Sequence, residues 1–394
     1  MKVALIGFGQ AGGKIVDEFV DYERRTGLDI FSSPIAVNTA KTDLRGLENV
    51  PVDNRVLIGQ ARVKGHGVGA DNELGAAIAE QDIDEVQSAL DEIPVHEVDA
   101  FLIVAGLGGG TGSGGAPVLA KHLKRIYTEP VFGLGVLPAA DEGGIYTLNA
   151  ARSFQTFVRE TDNVLVFDND AWRQTGESMA GGYDQINGEI VRRFGMLFAA
   201  GETVGNDQVA ESVVDSSEII NTLAGGGVST VGYASETVDR SDGGLLSRVG
   251  RGSEDAVVDD MEEANTTNRI TSLVRKAALG RLTLPCDLSG AERSLLVVGG
   301  PPEFLNRKGI ERGRSWVEEE TGSMEVRGGD YPIPDSETVA SAVLFSGVHK
   351  VPRIKELQQV AIEARENLDQ LQSESEDNLD KLLNEGAEEI APLY

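Results

Sequence analysis

Ten consecutive residues, Gly106-Leu-Gly-Gly-Gly-Thr-Gly-Ser-Gly-Gly115, limit what this chain can fold into more than any other stretch. They follow the apolar run DAFLIVA and precede APVLAKHLKRIY, so they join a buried strand to a helix. Residues without a Cβ let successive backbone N–H groups turn toward one point, which makes a nest for an anion. The positive N-terminal end of the following helix adds to it, and the hydroxyls of Thr111 and Ser113 are further donors. As a mere connector the stretch would be costly, because glycine loses more conformational freedom on folding than any other residue. It also lies at the carboxyl end of a strand, where open α/β sheets bind ligands. The stretch reads as a phosphate cradle.

A second glycine loop, Gly7-Phe-Gly9-Gln-Ala-Gly12-Gly13-Lys14, follows the N-terminal strand KVALIGF. Gly7, Gly9 and Gly12 satisfy G-x-G-x-x-G, a weak dinucleotide signal. A dinucleotide site would place an acid at the end of the next strand, yet SPIAVN ends in Asn38. A Walker loop would need glycine where Phe8 stands and Ser or Thr where Ile15 stands. Two glycine loops on one sheet suit a nucleotide with a long phosphate tail better than a dinucleotide.

Short apolar runs alternate with helical segments as far as NVLVFDN. This predicts an α/β fold with a Rossmann-like, doubly wound parallel sheet over residues 1–180. Helical periodicity spans 71–92 and again 182–200, the second forming a central helix placed at 181–201. The region 202–349 reads as a second, α+β domain with a mixed sheet. Its strands are expected at 228–235, in RSLLVVGG, near 323–328 and near 338–348. Its helices are expected at 266–279 and in FLNRKGIERGRSWVEEE, and RSDGGLLSRVGRGSEDAVVDD reads as a surface loop. Residues 350–394 read as an acidic helical tail, whose ending EEIAPLY is either a frayed terminus or a partner peptide.

Charge narrows the functions. Asp and Glu number 64 against 35 Lys and Arg, a formal net charge of −29. Such a surface repels phosphate backbones and anionic lipid, so no nucleic-acid partner is expected. The longest uncharged run, 100–120, is interrupted by the glycine cradle, so no direct membrane insertion is expected. The single cysteine, Cys286, forbids an intrachain disulfide and fits a reducing interior, hence a cytoplasmic location. The acid excess is spread along the chain and Lys is scarce. That is the pattern expected in a salt-rich cytoplasm, where a Debye length of about 3 Å at 1 M leaves surface carboxylates little mutual repulsion. His66, His96, His122 and His349 do not cluster in sequence, and no protein-held metal site is expected.

The run GLGGGTGSG resembles the GGGTG[ST]G signature of the tubulin/FtsZ superfamily, and GFGQAGGK with the acidic tail is most similar to its archaeal CetZ branch. The resemblance covers the chain to about residue 350. It implies GTP and GDP as ligands, with Mg²⁺ held mainly through phosphates and water. It also implies head-to-tail protofilaments of the chain with itself, GTP hydrolysis at the subunit interface and a role in cell shape. Gly9, Gln10, Ala11, Gly12, Gly13 and Lys14 would then line the α- and β-phosphates. Gly108, Gly109, Gly110, Thr111, Gly112 and Ser113 would hold the β- and γ-phosphates. Asn38, Ala70, Asp71 and Asn72 would approach the γ-phosphate and its Mg²⁺. Glu142 matches the family's ribose contact. Asn169 and Asn187 match the guanine-reading residues, and Tyr183 the stacking aromatic; an amide side chain can both donate to and accept from a guanine edge.

The catalytic expectation falls on Asp215 and Glu218 in VVDSSEIINTL, at i and i+3 of a helix start. In the family such a loop enters the next subunit's nucleotide pocket. Val213 stands where FtsZ has an Asn, a departure from the FtsZ form. Two other readings of the chain are an NAD(P)-dependent dehydrogenase and a nucleotide-binding scaffold without hydrolysis.

Overall fold

The computed structural model of the protein describes residues 1–173, 179–200, 214–238 and 255–365. The first half contains strands β1 (Val3–Phe8), β2 (Phe31–Asn38), β3 (Arg55–Leu57), β4 (Ala100–Gly106), β5 (Val131–Leu137) and β6 (Asn163–Asp168). Among them run helices α1 (Gly9–Thr26), α2 (Lys41–Arg45), α3 (Gln60–Val63), α4 (Asn72–Gln81), α5 (Ile83–Leu90), α6 (Thr111–Ile126), α7 (Gly144–Glu160) and α8 (Asn169–Trp172). Helix α9 (Met179–Ala199) leads to α10 (Ser216–Leu223), β7 (Val228–Thr237), α11 (Asp255–Leu279), β8 (Arg293–Gly300), α12 (Arg307–Thr321), β9 (Glu325–Pro332) and β10 (Thr338–Ser346). A further helix begins at residue 352.

The ten strands form one sheet in the order β3-β2-β1-β4-β5-β6-β7-β10-β8-β9. The first six are parallel neighbours in the doubly wound order. The second half is mixed: β10 runs antiparallel to both β7 and β8, while β8 and β9 are parallel. The halves do not form separate sheets. They join through a short parallel pairing of Val164 and Leu165 with Val228 and Ser229.

The pleat sorts side chains onto two apolar faces. Along β1, Val3 and Leu5 face α1, α9 and α10, whereas Ala4, Ile6 and Phe8 face α4 to α7, α11 and α12. Burial on both sides explains why these strands read as unbroken apolar runs.

Four expectations shift. The helical run over 71–92 breaks at Asp82, whose carboxylate accepts from Gly59 N at 2.6 Å. The helix after the cradle begins at Thr111, so the second half of the glycine stretch is itself the first turns of α6. Inside it Pro117 cannot donate to Ser113 O, and Ser153 Oγ takes that place at 2.7 Å. Helix α11 begins at Asp255, inside the expected loop, and β9 lies at 325–332 rather than 323–328. Residues 201–213, 239–254 and 366–394, which hold part of that loop and most of the expected acidic tail, lie outside the described residues.

Candidate functional site

A cleft of about 700 Å³ opens over the carboxyl ends of the parallel strands. Phe8, Gly106, Val136 and Asn169 in its wall mark the ends of β1, β4, β5 and β6. Fourteen of the expected ligand residues line it. They are Gln10, Ala11 and Lys14 from the first loop, Asn38 after β2, Ala70 before α4, and Gly108 to Gly112 from the cradle. Glu142, Asn169, Tyr183 and Asn187 complete the set.

The two glycine loops touch through their backbones. Gly9 has φ +76°, and a Cβ there would stand 2.7 Å from Gly112 N. Gly12 does different work. A Cβ on it would lie 2.1 Å from Val104 O, so its bareness lets α1 press onto β4. Gly9, Gly12 and Gly13 therefore shape the loop from behind the wall, with Gly13 turned toward Leu47. Ser113 is also absent from the lining, because its hydroxyl donates back to Gly109 O. Thr111 lines the cleft and shares a 2.7 Å hydrogen bond with the buried Thr39 hydroxyl. Asp71 caps α4 by accepting from Leu74 N at 2.9 Å, and neither it nor Asn72 reaches the lining.

Asn38 is buried and tied to its own turn. Its Oδ1 accepts from Ala40 N at 3.0 Å, and its Nδ2 donates to Asp43 Oδ2 at 3.2 Å. Lys14 and Asp43 bring one charge of each sign to this part of the wall. At the other side, Glu142 Oε1 accepts from Ala139 N at 2.8 Å. Tyr183 hydrogen-bonds the same carboxylate, and burial together with that anion pushes its phenol up to about 12. The phenol therefore stays neutral, with its ring in the wall.

Asn169 Oδ1 is the most telling atom. It is buried, and no described residue donates to it. An orphaned acceptor costs on the order of 1–3 kcal/mol, which a ligand N–H would recover. Just before it, Asp168 is buried, and burial pushes its carboxyl up to about 6 although the Arg353 guanidinium at 3.4 Å opposes the shift. Asp168 caps α8 by accepting from Asp170 N, and so aims Asn169.

Asp215 and Glu218 stand apart from this cleft. Asp215 caps α10, accepting from Ser217 Oγ at 2.6 Å and Glu218 N at 2.9 Å. These bonds hold its carboxyl below the usual range. Glu218 is half-buried and shifted the opposite way, by burial first and then by Asp215. The far end of α10 is fixed at the start of β6, where Asn163 Nδ2 donates to Leu223 O at 3.0 Å. Asn169 follows the other end of that six-residue strand. At about 3.3 Å per residue the two ends lie roughly 20 Å apart. The carboxyl end of α10 is thus anchored at the opposite end of β6, and neither carboxylate lines the cleft.

Sequence reasoning missed three residues. Asn149 on α7 is buried and donates to Ala70 O at 2.7 Å and Gly108 O at 3.1 Å, tying two loops of the cleft together. Thr39 supports Thr111, and Asp168 supports Asn169. All three act through a wall residue, and nothing in their sequence spacing marks such a role. Among the described residues no group of three or more His, Cys, Asp or Glu side chains is set to hold a metal. No described helix is long and apolar enough to cross a membrane.

Comparison with known proteins gives the family and the fold. Residues 2–177 match the family model of the Tubulin/FtsZ family, GTPase domain, and residues 176–363 match that of the tubulin-like CetZ C-terminal domain. Tubulin-like protein CetZ1 of Haloferax volcanii is 74% identical over 372 residues, 94% of each chain. The solved structure of a GDP-bound CetZ1 monomer from Haloferax volcanii superposes with a TM-score of 0.82 at 71% identity, covering 93% of this chain and all of that one. A GTPgS-bound CetZ2 protofilament from the same organism gives 0.80 at 48% identity, covering 94% of this chain and 100% of that one.

Proposed function

The chain belongs to the CetZ family of tubulin-like proteins, and from that premise we propose that it binds GTP, assembles head to tail and hydrolyses GTP between subunits. The observation that carries the proposal is that Asp215 and Glu218 do not line the cleft, while α10 is anchored at the end of β6 opposite Asn169. A site divided in this way is incomplete in one molecule and complete in a polar stack, where one end of the sheet meets the other.

In this reading Gln10, Ala11 and Lys14 line the α- and β-phosphates, and the backbone N–H groups of Gly108 to Gly112 hold the β- and γ-phosphates. Asn169 Oδ1 accepts from the guanine edge, Asn187 reads the same edge, and Tyr183 stacks on the base. Glu142 exchanges its phenol partner for the ribose. A Mg²⁺ accompanying the nucleotide would be held mainly by phosphate oxygens and water, with Asp43 the carboxylate available beside Asn38. Asp215 and Glu218 of the adjoining subunit orient a water. Its oxygen bonds to the γ-phosphorus, the bond from that phosphorus to the β–γ bridging oxygen breaks, and GDP and phosphate leave. Catalysis of this kind is positioning plus electrostatics and needs a fixed interface.

The related Haloferax volcanii structures, one with GDP and one a GTPgS-bound protofilament, support the ligand class and self-association. A division at about residues 180, 201 and 349 fits the reading, as do a cytoplasmic location and an acidic tail open to partners. The dehydrogenase alternative gains no support, because the matched family model is that of a GTPase domain. Calorimetry with GTP, ATP and NAD tests the ligand: GTP should bind far more tightly than either. Equal binding of ATP, or tighter binding of NAD, would remove the guanine assignment.

A further inference from the structure

Two buried polar atoms near α10 find no hydrogen-bond partner among the described residues: Glu218 Oε2 and Arg327 Nη1. Arg327 lies on β9 in register with Leu295 of β8. Leu295 belongs to the apolar face beneath α10, whereas Val326 belongs to the other. The pleat therefore puts Arg327 on the α10 side, together with Glu325.

A chain of charges links these residues to the helix. Arg293 donates to Asn221 O of α10 at 2.8 Å, and its Nε lies 2.9 Å from Glu325 Oε2. The same Glu325 oxygen lies 3.9 Å from Arg327 Nη1. The charged groups around Glu218 are thus Asp215 on its own helix, Arg327 and Glu325 on β9, and Arg293 on β8.

We propose that Arg327 is a positioning residue for hydrolysis: it keeps the Glu218 carboxylate charged and aimed, and with Glu325 and Arg293 it seats α10 on the sheet. This rests on the reading that Asp215 and Glu218 act on a neighbour's nucleotide. A water-orienting carboxylate must be ionised, yet burial and the Asp215 charge both push Glu218 toward protonation, and Arg327 is the cation that opposes them. A neighbour seated on this end would exclude more water. The penalty on the charge and the pull of Arg327 would then both grow. Arg327 Nη1 is itself closed to solvent, which fits a role exerted through Glu218.

The test is the pH dependence of turnover in assembled protein, measured across about pH 5 to 9. Arg327→Gln should keep GDP affinity and pellet with a slowly hydrolysed GTP analogue. Its acid limb should move up by about one pH unit or more, so that turnover on that limb falls about tenfold and recovers at high pH. Arg327→Lys should bring the limb back toward its normal place. Glu325→Gln, which frees Arg327 for Glu218, should move it the other way and keeps the test open if Arg327→Gln fails to fold. A limb that neither Arg327→Gln nor Glu325→Gln moves overturns the proposal, whatever happens to the maximal rate. Glu218→Gln separates the two levels. If it retains full turnover, the reading of the carboxylates falls. If it is dead while the limb stays unmoved in the other variants, only the role of Arg327 falls.

Discussion

Asn149 offers the sharpest test of how the cleft is held. Its amide nitrogen bridges Ala70 O at 2.7 Å and Gly108 O at 3.1 Å, in a position almost closed to solvent. Ala70 is held at φ +66°, a left-handed conformation that costs a residue with a Cβ about 1–2 kcal/mol. Asn149→Ala removes two hydrogen bonds, leaves two carbonyls short of a donor and frees the strained turn to relax. At about 1 kcal/mol for each of the two bonds, plus an orphan penalty of about 1–3 kcal/mol, the loss should be about 3–5 kcal/mol of stability. The free protein would then have to order two loops on binding, which should weaken GDP about tenfold. Asn149→Asp keeps the size but aims an acceptor at two acceptors, so it should be at least as damaging. Ala70→Gly in the Asn149→Ala background should return part of the loss, because glycine adopts the turn without strain. Urea unfolding in molar KCl gives the stabilities, and calorimetry gives the affinities. If Asn149→Asp unfolds within about 0.5 kcal/mol of the parent and binds GDP unchanged, the bridge is not what holds these loops.

Three further outcomes follow from the same structure. Gly12→Ala should destabilise by about 3 kcal/mol or more in urea unfolding, because its Cβ would meet Val104 O at 2.1 Å; a loss near zero would mean that α1 can lift off β4 freely. Tyr183→Ala should weaken GTP by about 1–3 kcal/mol if the ring stacks on the base, whereas an unchanged dissociation constant would leave Tyr183 as plain wall. With a net charge of −29, thermal unfolding should lose cooperativity on dialysis to tens of millimolar salt and regain it near molar KCl. A melting temperature flat across that range would count against adaptation to a salt-rich cytoplasm.

The parallel half of the sheet was legible because strands buried on both faces are written as unbroken apolar runs between amphipathic helices. The cradle was legible because few other uses explain so many neighbouring glycines. Helix boundaries were less so. Asp82 looks like any helical acid until its bond to Gly59 N is known, and the glycines of 112–115 look like loop although they begin α6. The joining of both halves into one sheet rests on two residue pairs, Val164 with Val228 and Leu165 with Ser229, too short a match for a pattern to announce. In the cleft, residues that face the ligand space carried a spacing that sequence could match. Residues that hold those residues, such as Asn149, Thr39 and Asp168, did so through contacts between distant segments, which no local pattern records.

The central claim is that one molecule supplies the cleft and another supplies the carboxylates, and a mixing experiment addresses it directly. Asp215→Asn keeps a helix-capping side chain but loses the charge, so it should bind GTP, assemble and barely hydrolyse. Gly110→Asp adds a negative side chain whose Cβ would meet Val68 Cγ2 at 2.5 Å and Asp71 N at 2.9 Å, so it distorts the cradle and should not bind GTP. Each variant alone should be inactive. Mixed in equal amounts at concentrations where they co-pellet, they should regain a substantial fraction of parent turnover, because some interfaces pair the intact cleft of one variant with the intact Asp215 and Glu218 of the other. Turnover per subunit in the parent should likewise climb with protein concentration. A co-pelleting mixture that stays as inactive as its components, or parent turnover that is constant per subunit at every concentration, would contradict the divided site.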